Sequence, residues 1–236
     1  MLKDSIKLTG RLSIKKYDKE GKVNYEKEVP NLVVTSGKEF IAQRLCNNDF
    51  DFMSHMAVGD DASTAAVNQT ALQNELARVA VSSATPSGVS ATFNASFGAG
   101  VGTGALVEAG IFNAAASAVK TFDGDQDVQD GSDTIINLTS HGFSTGDKVT
   151  YTDGGNVAIT GLLDGGTYYV IVVDSNTVQL ATSESNANAG TQINITGTSG
   201  TGHKLTAGTM LCRTTFPVIN KSSTETVAIS WVITVG

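Results

Sequence analysis

Five carboxylates crowd one short stretch of this chain. In "DGDQDVQDGSD", residues 123–133, Asp123, Asp125 and Asp127 stand at every second position, with Asp130 and Asp133 behind them. Oxygen ligands on a tight loop are what Ca²⁺ takes. An EF-hand loop counted from Asp123, however, requires Gly at its sixth position and Glu at its twelfth, and here those places hold Val128 and Thr134. The run is expected to be a solvated linker, and no metal ligand is assigned to it. "GAGVGTG", residues 98–104, resembles a phosphate-cradling loop, yet Thr103 stands where GxGxxG needs its third glycine and the Lys of GxxxxGK[ST] is missing. A flexible turn is the expectation. His55, His141 and His203 carry no HExxH spacing, and no GxSxG elbow occurs. His141 and His203 sit beside glycines and read as turn residues. For glycoside hydrolysis two convergent carboxylates would be needed. Glu75 and Glu108 are the acids available between 62 and 120, and nothing in the sequence pairs them. No catalytic, cofactor-binding or metal-ligating residue is therefore nominated, and the chain is expected not to be an enzyme.

Composition narrows the classes further. Gly contributes 25 of 236 residues and Pro only 3, while charged residues at 17% fall below the roughly 25% of ordinary soluble domains. That balance suits turn-rich β-structure and not disorder, which combines low hydrophobicity with high charge. The net charge of −7 divides unevenly, with +4 in residues 1–44 and −11 beyond. An acidic body argues against nucleic acid as a partner, since that partner needs clustered positive charge. Cys46 and Cys212 are too few and too far apart for a disulfide framework or a zinc site. "MLKDSIKLTG" lacks the apolar core of a signal peptide, and no apolar run approaches a membrane span. A soluble product made in the cytosol, with no membrane partner, is the expectation.

The elements that would position these residues are mostly strands. Ile6, Leu8, Leu12 and Ile14 alternate with polar residues, and after a turn at 18–21 Val23, Tyr25 and Val29 resume the period of two. Ser36 followed by Glu39 has capping-box spacing, and Phe40, Ile41 and Leu45 predict a helix over about 37–46. Thr70 with Gln73, and Leu72 with Leu76, predict a second helical turn in "TALQNELAR". Strands then flank a Ser-Gly turn at 87–88, and Val227, Ile229, Trp231 and Ile233 share one face of the last strand. Between these lies a different texture, in which "TIINLTS", "DKVTYT", "GTYYVIVVD", "NTVQLA" and "TQINITG" are five short strands divided by turn residues. The simplest division is a host β-sandwich, jelly-roll-like, made of 1–120 and 206–236 with one or two short helices. It is interrupted by a second small all-β domain at 121–205. "GIFNAAA" and "GTMLCRTTF" would be the two arms of the hairpin whose tip accepted the insertion.

The host segments "NLVVTSGKEFIAQRL", "MAVGDDASTAAVNQTALQNELARVAV", "TGALVEAGIFNA" and "GTMLCRTTFPVINKSSTETVAISWVITV" resemble a group of tailed-bacteriophage virion proteins. The insertion, with "HGFSTGDKVTY", "GLLDGGTYYVIVVDSNTVQLATS" and "INITGTSGTGH", is similar to a β-module of phage tail, fibre and capsid-surface proteins and some large adhesins. The host segments together cover most of residues 31–115 and 208–236, but the matching residues are structural and carry no chemistry with them. The resemblance implies a component of the virion surface, synthesised in the bacterial host cytoplasm.

Two roles follow. In the first, the protein is a capsid decoration or cement protein that binds neighbouring copies of the major capsid protein or other virion proteins, with the insertion projecting outward. The basic N-terminal strands could then add to an adjacent sheet, and a homo-oligomer, a trimer above all, would match the repeated axes of a particle. In the second, it is a collar or tail-fibre component whose insertion binds a host-surface glycan through Tyr151, Tyr168 or Tyr169. Tyr168 and Tyr169 are adjacent, so one of them points inward, and "YYVIVVD" is apolar on both faces, which suits a core strand. Aromatic residues at 6% are sparse for a sugar-binding surface. The decoration role is the preferred expectation.

Overall fold

The computed structural model describes residues 7–46, 52–115, 119–130 and 134–236. Ile6 and Asp133 lie outside the described residues, as does the side chain of Cys46. The chain is mainly β and separates into two compact units, Met1–Ala115 with Thr209–Gly236, and Ala116–Gly208.

The first unit is built from β1 (Leu8–Tyr17), β2 (Val23–Pro30), β3 (Leu32–Val33), helix α1 (Thr35–Cys46), β4 (His55–Gly59), β5 (Glu75–Ala80), β6 (Ser83–Ser87), β7 (Ser90–Phe97) and β8 (Gly104–Phe112). After the second unit, strands here designated β16 (Met210–Lys221) and β17 (Thr226–Val235) complete it. One antiparallel sheet has the order β2-β1-β17-β7-β6, the other β3-β16-β8-β4-β5. Only Asn31 separates β2 from β3, and only two residues separate β5 from β6. On each flank, therefore, one run of chain bends out of one sheet into the other.

Alternation fixes which face goes inward. Leu12 pairs with Trp231, which pairs with Phe93, and the row below runs Ile14, Ile229, Ala95. These side chains are all buried, and they form one core with Met56, Val58, Ile111, Phe216 and Ile219 of the facing sheet. Strand β8 differs, being buried from Leu106 to Phe112 on both faces. Its outer side holds Phe112 in a smaller cluster with Val34, Ala57, Leu72 and Met210.

Helix α1 lies against β16. A Cβ at Gly37 would stand 2.1 Å from the Leu211 carbonyl oxygen, so only glycine permits that approach. The helix begins at Thr35, ahead of the proposed cap, and the Ser36 hydroxyl instead donates to the Met210 carbonyl. Phe40 is buried and Ile41 partly so, while Leu45 is 80% exposed. The helical turn expected in 70–78 does not form. Gln73 and Asn74 donate their backbone N–H groups to the Glu108 carboxylate, at 3.2 and 2.9 Å, and the chain then enters β5. A buried anion from a distant strand claims the donors that a first helical turn would have used.

The second unit contains β9 (Val119–Asp123), β10 (Val128–Gln129), β11 (Ile135–Asn137), β12 (Lys148–Thr152), β13 (Thr167–Asp174), β14 (Thr177–Ala181), α2 (Glu184–Asn188) and β15 (Thr201–Ala207). The sheet order is β10-β11-β14-β13-β12-β15-β9. Its two edge strands are consecutive in the chain and joined by a four-residue turn in which Asp127 N–H donates to the Asp123 carbonyl. The sheet must curl towards a barrel for its ends to be joined so briefly. Inside lie Phe122, Ile136, Val149, Tyr151, Val170, Leu180 and Leu205. Residues 191–197, expected as a strand, run without a ladder, with a lone bridge from Thr196 to Thr160 and an Ile193 N–H bond to the Leu180 carbonyl. Strand β9 ends on the first aspartate of the acidic run, β10 lies within the run, and α2 occupies "ESNAN"; none of the three was legible as an element in the sequence.

Candidate functional site

The acidic run is built into turns. The Asp123 carboxylate accepts N–H bonds from Asp125 and Gln126 at 2.9 and 3.1 Å, which hold it below the ordinary carboxylate range. Asp127 accepts from Asp123 N–H and Asp130 from Gly197 N–H, each at 2.8 Å. Asp123 and Asp127 thus serve as local caps of the backbone, and Asp130 ties in the 191–197 segment. Among the described residues no group of three His, Cys, Asp or Glu side chains could hold a metal ion.

The glycines at 98–104 form the turn between β7 and β8, with positive φ at Gly100, Gly102 and Gly104. Gly100 N–H donates to the Ser223 carbonyl, and the buried Lys221 ammonium donates to the Gly98 carbonyl at 2.9 Å. Burial lowers the Lys221 pKa, and the nearby Glu225 carboxylate opposes that shift. Glu225 itself accepts from Ser222 N–H, pairs with Lys16 at 2.9 Å and accepts from the Asn24 amide. These contacts bring its pKa from 4.5 to about 2. Because the folded protein releases this proton more readily than the unfolded chain, Glu225 favours folding fully above about pH 4.5. That contribution fades as pH falls towards 2. Glu225→Gln is expected to flatten this part of the stability–pH curve, measured by denaturant titration at stepped pH values. An unchanged curve would assign the acid sensitivity to other carboxylates.

The acids considered for hydrolysis are not convergent. Glu75 and Glu108 both stand opposite Gly59, on the strands either side of it, and each is held by its own arginine. Arg78 binds Glu75 through Nε at 3.0 Å and Nη2 at 2.6 Å, and its guanidinium lies 3.8 Å from the Phe112 ring centroid. Arg213 binds Glu108 through Nε at 2.8 Å, with both side chains fully buried. Its other nitrogens reach the Ser63 carbonyl and the Gln69 side chain, with Asp61 at 3.7 Å. The network fastens the 60–74 segment onto the outer side of β8 and β16. Sequence reasoning missed Arg213 and Lys221, because their partners lie 105 and 123 residues away.

His141 and His203 are packed inside the second unit, and His55 of β4 is half-buried beside the Ser54 hydroxyl. His141 is buried: its Nδ1 accepts from Phe143 N–H at 3.0 Å, which leaves Nε2 to donate to the Asp174 carbonyl at 2.7 Å. His203 is not a turn residue; it lies inside β15, fully buried. Tyr151 O–H accepts from Ile159 N–H and bonds His203 Nδ1 at 2.8 Å, with the two rings stacked. Of the tyrosines considered for glycan recognition, Tyr151 and Tyr168 are buried in the core and Tyr169 is partly buried beside Ile171 and α2's Ala187. Tyr168 O–H accepts from Leu163 N–H. Cys212 is also inert, since burial drives its thiol pKa far upward and keeps it protonated.

What the first unit presents is an apolar groove of about 460 Å³ at one end of the sandwich. Phe40 and Ile41 of α1, Phe52, Val89 of the β6–β7 turn, and Ile233 and Val235 of β17 line it, with Arg44 at the mouth. Leu211 and Phe93 close its floor from the core. Such a surface can hold apolar groups, and among the described residues its lining carries no Asp, Glu, His, Cys or Lys side chain. Comparison with known proteins brings no relative to this surface or to either unit: no family model, no curated protein and no solved structure matches the chain.

Proposed function

We propose that this chain is a non-enzymatic structural protein of a tailed-bacteriophage virion. On this reading it is a capsid decoration protein that binds neighbouring capsid subunits and stabilises the shell. The observation carrying the proposal is the way the two β units are joined. The first unit's strands β8 and β16 pair from Phe112 with Met210 onward, and Asn113 and Thr209 continue the contact through backbone and side-chain hydrogen bonds. The second unit is spliced in between these two points, each unit enclosing its own apolar core. That is the plan of a binding scaffold carrying an accessory domain, and it accords with the resemblance of both parts to virion proteins. The buried Glu108–Arg213 and Tyr151–His203 contacts also have evident structural work, which supports binding over turnover.

The test is the protein's location and copy number on purified particles. Hundreds of copies, whose removal lowers the temperature at which the shell releases its genome, is the expected result. About a dozen copies at a single vertex would overturn the decoration role in favour of a collar or tail-fibre one. A glycan partner is left without an exposed tyrosine among the three considered, and binding of the intact protein to a glycan array would restore it.

A further inference from the structure

We propose that the apolar groove at the end of the sandwich is a self-association surface, occupied by Phe52 of a second copy of this chain. The groove and the group that would fill it lie on one patch. Phe52 lines the groove and yet is 67% exposed, and Val89, which also lines it, is 66% exposed. Leu45 follows Ile41 by one helical turn on α1 and is 80% exposed, while Val235 is 39% exposed. A knob beside its own hole is the condition for a two-fold, isologous contact, in which each copy gives and receives the same side chain.

Area favours a second copy over a small apolar ligand. A ligand confined to the groove would fill about 460 Å³ and leave the protruding rim side chains in water. From typical side-chain areas, Phe52, Val89 and Val235 at the groove, together with Leu45 one turn beyond Ile41 on α1, expose on the order of 400 Å². Doubled across two copies and joined by the polar surroundings, that reaches the roughly 1,000 Å² at the lower bound of specific interfaces. Such a contact is weak and strengthens with local concentration, as repeated positions on a particle provide. The trimer expected from particle symmetry would need a different, head-to-tail surface; this patch selects a pair. The inference concerns the isolated protein and does not depend on the virion role.

Sedimentation equilibrium of the full chain from about 1 to 300 µM tests it. A concentration-dependent dimer is expected, with Phe52→Asp and Val89→Asp each raising the dissociation constant at least ~30-fold. Both positions are largely exposed, and unchanged Trp231 fluorescence would show that the core is intact. Val157→Asp, at an exposed apolar position of the second unit, is expected to leave association unchanged. A monomer throughout the range, an oligomer indifferent to both groove variants, or a monomer that carries a bound amphiphile in native mass spectrometry would each overturn the proposal.

Discussion

Glu108→Ala is expected to destabilise the sandwich unit by about 3–5 kcal/mol, the usual cost of stranding one partner of a buried ion pair. Arg213 would keep a charge with no exposure to water and lose its 2.8 Å contact, while Gln73 and Asn74 would lose the acceptor for their N–H groups. The desolvation cost of each stranded group is what makes a single deletion so expensive. Arg213→Met is expected to cost less than Glu108→Ala. The Glu108 carboxylate retains two backbone donors, although the Ser63 carbonyl and Gln69 lose their cation. Pairing Glu108→Leu with Arg213→Met should recover part of the loss, because two apolar side chains of similar volume carry no stranded charge. Denaturant unfolding followed by Trp231 fluorescence reads this unit directly, since the chain's single Trp lies in its core. A loss below about 1 kcal/mol for Glu108→Ala would show that water reaches the pair and does much of its work.

The same network explains where sequence patterns stopped being sufficient. Local periodicity was enough for the long strands: Leu12 and Ile14, and Val227 through Ile233, alternate in sequence and all face the core. It failed at 70–78, where the cap-like Thr70 and Gln73 and the spacing of Leu72 and Leu76 favour a helix by themselves. Leu72 enters the outer cluster and Glu108 captures the adjacent amides, so a partner more than thirty residues away decides the conformation. The acidic run misled in the opposite direction. Its carboxylates looked like ligands or solvated linker charges, but Asp123 and Asp127 cap the backbone of the turn that joins the two edge strands of the second unit, and Asp130 holds the distant Gly197 N–H. His203 beside Gly202 reads as a turn residue; its burial follows from β15 pairing with both β12 and β9, which no short window records. The groove was equally hidden, because its walls come from a helix, a hairpin tip and the last strand.

Trp231→Ala is expected to cost the sandwich about 3–5 kcal/mol, the range for removing a large aromatic from a packed core. Trp231 is fully buried between Leu12 and Phe93 in the ladder, with side chains of the facing sheet above it. No neighbouring β-carbon can move far enough to fill the space, because the strands on either side are held by continuous pairing. Trp231→Phe tests a separate part of the argument. The indole Nε1 is buried with no hydrogen-bond partner among the described residues, so the native side chain already bears the cost of a desolvated donor. Phe gives up some volume but also removes that donor, and the two changes oppose each other. The loss for Trp231→Phe is therefore expected to stay under about 1.5 kcal/mol, because removing the desolvated donor offsets part of the cavity cost. Calorimetry and far-UV circular dichroism must follow both variants, since each lacks the fluorophore. A Phe variant as damaging as the Ala variant would mean that the indole N–H is satisfied by water, and that the core around β17 is less dry than its burial indicates.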